Sequence, residues 1–390
     1  MHALLLVSLL ASIDLATAQR AFTELDAMCA ADGGRMWGRS LCGPIVFANA
    51  RTREAVRRAD AGIEETNVPD SIGIANTAVE WDGTKWTMVM WPLPQSTVSR
   101  RALLAHESFH RIQHDLGLPN SSPRNAHLES PEARAWMRLE WRALARALAT
   151  RDERAVADAL AFRAKRRALA GAEEERLLEL NEGLAEHTGF ALAVPHLPER
   201  IAPLLRKLAN AEKSETFARS FAYTSGPAWG ALIEMKDPRW TRKVKASDDL
   251  GALAQRAWSI RASEPRDAYD NAAVHADEQQ RAIRKRELVA RLRAKFVDGP
   301  VLMIPLQQMS FTFDPNHVQP LDELGTVYQS LEVRDVWGKI VVTGGAMISP
   351  DFKQLVVPAD GEGYVLDLAT GWRVVDGARA GDKTVSRDEG

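Results

Sequence analysis

The chain has 390 residues, 45% of them hydrophobic and 26% charged, with a formal net charge of −2. This length suffices for two or three domains with a substantial core. The near-neutral balance excludes the basic footprint of a nucleic-acid binder, and no apolar run approaches the about 20 residues needed to cross a bilayer.

Met1–Ala18 reads as a secretory signal: an apolar run closed by Ala16-Thr17-Ala18, an A-x-A cleavage site that sets the mature start near Gln19. Only two cysteines follow, Cys29 and Cys42. In the oxidising destination implied by export, a lone pair this close in sequence is expected to form a disulfide. From residue 19 to 98 short strand-like runs alternate with turn chemistry. Ala78–Trp81 and Trp86–Trp91 flank Asp82-Gly83, a hairpin signal, and Pro92 and Pro94 end the second run, suggesting an edge position. Residues 99–295 are rich in Ala, Leu, Arg and Glu and read as helical. From 296 to 390 strand-like segments return, predicting a β-rich C-terminal domain. The expected class is therefore α+β: a signal at 1–18, a catalytic domain over 19–295 and a β domain over 296–390.

Chemistry concentrates in His106-Glu107-Ser108-Phe109-His110, an H-E-x-x-H pattern on a helix-compatible segment. Histidines at i and i+4 project from one helical face and can grip one zinc ion at about 2.0–2.1 Å. Glu107, turned away from both, is the expected base beside the metal's open position. One Zn2+ per chain is expected, with a third ligand from elsewhere. Glu182 is the leading candidate, because Glu182 and Glu186 are also i and i+4, so Glu186 can orient a ligand histidine through its other ring nitrogen. Glu140, set among Trp136, Leu139, Trp141 and Leu144, is the competitor, since such a carboxylate is costly to bury unless paired or bound.

These residues resemble the gluzincins, the thermolysin and aminopeptidase N-like clan of zinc peptidases, over roughly residues 80–235. The H-E-x-x-H segment matches that clan's helix, and Asn181-Glu182-Gly183 is similar to its N-E-G segment. Tyr223-Thr224-Ser225-Gly226 resembles its Y-x-x-G element, which implies that Tyr223 stabilises the oxyanion. The resemblance implies a zincin-like core whose edge strand, here Met88, Val89 and Met90, holds a peptide by β-augmentation. Two features depart from the clan: 71 residues separate His110 from Glu182, which reads as an inserted helical hairpin over about 131–170, and no G-x-M-E-N segment precedes the zinc helix. The second tilts the expected activity towards endopeptidase on a peptide or protein substrate. The alternatives are a zinc amidase acting on cell-wall peptides and a non-catalytic zinc-bearing binding protein.

Overall fold

Strand-forming residues ahead of Pro92 build a five-stranded sheet from β1 (Ile45–Asn49), β2 (Glu54–Ala59), β3 (Gly62–Asn67), β4 (Thr77–Trp81) and β5 (Thr84–Trp91), in the order β3-β2-β1-β5-β4. β1 and β5 run parallel, Phe47 opposite Val89, and the other neighbours are antiparallel. The computed structural model describes residues 12–387 apart from 61, 262, 315 and 316. The chain is a mixed helix-and-sheet protein with an N-terminal sheet, central helices and C-terminal sheets. It divides into two compact units, Met1–Gln279 and Gln280–Gly390.

Ahead of the sheet lies α1 (Leu15–Asp32), capped by the Asp14 side chain. The Ala16–Ala18 segment forms its first turn, with Ala18 wholly buried, while the apolar run Met1–Ala11 falls outside the described residues. Cys29 and Cys42 stand side by side as free thiols rather than as the expected disulfide, and burial pushes the Cys29 thiol well above its usual range.

Directly after β5, Ser96 caps α2 (Thr97–Gln113), whose Leu104, Ala105, Phe109 and Ile112 bury one face in the main core. The insertion between the two motifs is a hairpin of α3 (Pro131–Thr150) and α4 (Glu153–Arg167). Ser130 caps α3 with Pro131 at its first position, Arg151 turns the corner with positive φ, and Asp152 caps α4. Then come α5 (Ala172–Leu178), one wide turn of π geometry at Glu179–Gly183, and α6 (Leu184–Ala193). α7 (Leu197–Ala211), α8 (Ser220–Glu234) and α9 (Leu250–Trp258) complete the helical layer, and the division between the units falls within α10 (Asn271–Arg293) rather than at residue 296. No helix among the described residues is long and apolar enough to cross a membrane.

The second unit contains two sheets. One has four strands, in the order Tyr364–Leu368, Gly338–Val342, Leu331–Asp335, Ser310–Phe313; the other has seven. Val333, Trp337, Ile340, Leu355 and Val357 form its core.

A buried charge network ties the hairpin to the π turn. Arg166, wholly buried, bonds Glu140 and both oxygens of Glu175. Arg163 donates from Nη1 to Glu179 at 2.8 Å and from Nη2 to Asp249 at 2.8 Å. Arg167 reaches Glu175, Glu179 and Asp249. Burial by itself would raise the Glu175 carboxyl; the Arg166 charge and bonds from Arg166 and His127 outweigh it and hold the group well below the usual carboxylate range. Removing one partner of such a pair leaves a buried charge uncompensated, which costs about 3–5 kcal/mol. Arg166→Met is therefore expected to lower stability by about that much in denaturant titrations at pH 7. Because Glu175 is depressed on folding, its contribution is present above the unfolded carboxyl pKa and is lost as pH falls through the folded value. The gap between variant and wild type should thus narrow at acid pH; a gap that widens there would contradict this assignment.

Candidate metal centre

α2 presents His106 and His110 on one face, as their spacing requires. Their Nε2 atoms lie 3.2 Å apart. Glu182, carried by the π turn, brings Oε2 to 3.4 Å from His106 Nε2 and 3.5 Å from His110 Nε2. Two ligands at tetrahedral angles around an ion at 2.0–2.1 Å stand about 3.3 Å apart, so this near-equilateral triangle has the dimensions of one face of a tetrahedral zinc site. Glu107 Oε1 is more distant, 3.9 Å from His106 Nε2.

Two close backbone contacts set these positions. A Cβ on Gly226 would lie 2.3 Å from the Gly183 Cα, so the glycines of N-E-G and Y-x-x-G let α8 touch the π turn directly. A Cβ on Gly189 would lie 2.5 Å from the Ala102 carbonyl oxygen, so α6 seats directly on α2. Only glycine permits either approach.

Around the triangle each ligand has a partner. His106 Nδ1 is 3.0 Å from Glu186 Oε2, and Lys207 Nζ donates to Glu186 Oε1 at 2.7 Å. His110 Nδ1 meets Gln113 Oε1 at 2.7 Å, and the Gln113 amide donates to Asn181 Oδ1 at 3.0 Å. Asn181 in turn donates to Ser122 Oγ at 3.1 Å. These contacts leave both Nε2 atoms free to bind an ion, because each Nδ1–H is held by an acceptor. Glu182 Oε1 accepts from Arg219 Nη2 at 3.1 Å, and the Tyr223 hydroxyl bonds Glu182 while its ring stacks on His106, centroids 5.8 Å apart.

The electrostatics favour a cation. Burial alone would lower the His106 pKa, but bonds to Glu182 and Glu186 and the charge of Glu107 push it up to about 9. Burial would raise Glu182, yet its bonds to His106, His110 and Tyr223 hold it well below the usual range. Burial raises Glu107, which is 4% exposed and whose Oε2 has no hydrogen-bond partner. The donor set of two imidazoles and one carboxylate suits zinc, with a fourth position left to none of these three and a free carboxylate alongside.

Glu140, the competing third ligand, is occupied elsewhere. Trp229 Nε1 donates to it at 2.9 Å, and Arg163 and Arg166 neutralise it. The expected edge strand also needs correction. β5 lies between β1 and β4, and Met88 and Val89 are wholly buried, because the Asp82-Gly83 hairpin folds β4 back along it. Of the three, only Met90 is exposed, and its N–H is taken by Asn76 Oδ1 at 2.7 Å. The free edge at the site is β4: Asn76, Thr77 and Ala78 line a cleft of about 900 Å³ that holds His106, Glu107, His110, Glu182 and Tyr223.

Sequence reasoning passed over Gln113 and Arg219. Each had a spacing signal, Gln113 three residues beyond His110 on the same helix and Arg219 one turn before Tyr223. Comparison with family models, with curated proteins and with solved structures finds no match.

Zinc affinity, measured by chelator competition, should rank the variants. Glu182→Ala is expected to lose binding most severely, while Glu186→Ala and Gln113→Leu lose about 10–100-fold, as for partners that orient a ligand. Glu140→Gln should bind zinc normally and lose stability instead. Loss of zinc in Glu140→Gln with retention in Glu182→Ala would reassign the ligand.

Proposed function

We propose that this chain is a zinc-dependent hydrolase with a zincin-like core that cleaves peptide bonds, acting as an endopeptidase. The observation that carries the reading is the triangle of His106, His110 and Glu182 with the unbonded Oε2 of Glu107 beside it. His106 Nε2, His110 Nε2 and Glu182 Oε2 would hold the ion. Bound there, zinc would supply Lewis acidity, polarising a carbonyl and lowering the pKa of water towards about 7.

Glu107 takes the proton of the attacking water on its unbonded oxygen and returns it to the leaving amine. Its burial-raised pKa suits both halves of that transfer. Tyr223 turns its hydroxyl to the developing oxyanion, a role its place in the cleft wall allows. Glu186 and Gln113 keep the two imidazoles in one tautomer and orientation. The backbone of β4 offers an extended substrate an unpaired sheet edge along the cleft that Asn76, Thr77 and Ala78 line. Against a purely binding role stands Glu107, for which a non-catalytic site has no use.

Glu107→Gln tests the assignment directly. It is expected to retain one zinc and the wild-type unfolding midpoint while losing turnover by at least a thousandfold, because an amide cannot accept the proton. Near-normal cleavage of a peptide library by this variant would remove Glu107 from the role of base.

We also propose export, with cleavage after Ala18 and oxidation of Cys29 and Cys42 to a disulfide. The apolar start, the A-x-A segment and the adjacency of the two thiols support it. Intact mass of protein recovered from the periplasm or medium, before and after alkylation, should show a chain beginning near Gln19 with no free thiol. A retained Met1 and two alkylated cysteines, or absence of the chain from both fractions, would contradict the proposal.

A further inference from the structure

The cleft walls carry cations that the hydrolytic chemistry leaves unused. Their carboxylates are Glu107, Glu182 and Glu186, and their fixed cations are Lys85, Lys207 and Arg219. These cancel one another, so a divalent ion in the triangle leaves the cleft with a net charge of about +2, on a chain whose overall charge is −2. Such a field concentrates anionic ligands and repels cationic ones.

Arg219 stands beside the triangle. Its Nη2 bonds Oε1 of Glu182, whose other oxygen is a corner of the triangle, so the guanidinium stands one carboxylate away from the ion's place. A guanidinium has five N–H donors. Glu182 and Tyr223 are the partners of Arg219 in the site, and its side chain is 62% exposed. Donors therefore remain for a ligand, in the fork geometry that matches a carboxylate. Lys207, by contrast, is more enclosed, 27% exposed, bonded to Glu186 and lying over the Phe190 ring. With Val98, Ala102 and Ala193, Phe190 makes part of the cleft wall apolar.

Building on the hydrolase reading above, we propose that Arg219 is a specificity residue that binds a substrate carboxylate within one or two residues of the scissile bond. The substrates are thus peptides with a carboxylate beside the cleaved bond: an Asp or Glu side chain if the enzyme is the endopeptidase proposed above, or the chain's own terminus if it acts as a carboxypeptidase instead. An extended residue spans about 3.3–3.6 Å, which sets that range from the carbonyl held at the triangle.

The test begins with a peptide-library digest by the zinc-loaded full chain, followed by matched sets built on one cleaved sequence. In one arm the flanking Glu or Asp becomes Gln or Asn; in the other the C-terminal acid becomes an amide. Wild type is expected to show a tenfold or greater rise in KM, with kcat little changed, in whichever arm removes the bound carboxylate. Arg219→Gln should show the same rise with the acidic peptide and no further difference between acid and amide. Equilibrium binding of the same peptides to the Glu107→Gln protein provides a readout independent of turnover and should show the same pattern. A purely structural role for Arg219 would weaken acid and amide peptides equally. Cleavage with no acid preference in either arm, or a preference that persists in Arg219→Gln, overturns the inference and leaves the hydrolase reading standing. Failure of the zinc-loaded wild type to cleave any peptide overturns both.

Discussion

One wide helical turn, Glu179–Gly183, brings the third donor to the histidines, and buried charge holds that turn in place. Glu179 is wholly buried and anchored by Arg163 and Arg167 from α4, while Glu182 three residues on faces the other way into the cleft. A π turn admits one extra residue per turn and is a less stable arrangement than a regular helix, found mostly at functional sites. Here the direct contact of Gly183 with Gly226 and the clamp on Glu179 compensate for it. The α3–α4 hairpin that separates the two motifs in sequence is therefore the scaffold behind the site. Its arginines fix the turn, and its Glu140 completes their neutralisation.

The same logic of charge runs through the cleft. Glu182 and Glu186 are ionised carboxylates placed against the two sides of His106, an arrangement that is stable only with positive charge between them. A divalent ion at the Nε2 triangle would supply that charge, leaving Nδ1–H on Glu186. Glu107 differs in kind. It is buried beside the triangle with one oxygen unbonded, a condition costly for stability and suited to accepting a proton in a reaction. Arg219, just ahead of α8, and Tyr223, on its first turn, complete the ring on the solvent side.

Much of this geometry follows from spacing. The i, i+4 pairs His106/His110 and Glu182/Glu186 converge because each lies on helical backbone, and the 71 residues between His110 and Glu182 marked the hairpin. Spacing ranked Glu182 above Glu140 through its i, i+4 partner Glu186, but it did not show what occupies Glu140. Both sit among apolar neighbours, and the difference is Arg166, 26 residues from Glu140 and joined to it only by folding. The edge strand went astray for a different reason. Prolines after Trp91 suggested an edge, yet the Asp82-Gly83 hairpin already supplied β5 with a second partner and moved the free edge to β4. Gln113 left a spacing signal, but its acceptor role depends on Asn181 turning it, a contact across 68 residues.

The central claim is that His106, His110 and Glu182 hold a zinc ion. X-ray absorption at the zinc edge of the purified full chain tests it most directly. The account predicts one zinc per chain, a nitrogen and oxygen shell at about 2.0–2.1 Å, and the outer-shell scattering of two imidazoles. A sulfur shell near about 2.3 Å would place the metal on Cys29 and Cys42 instead, and a chain purified without stoichiometric metal, unable to take zinc up, would contradict the account outright.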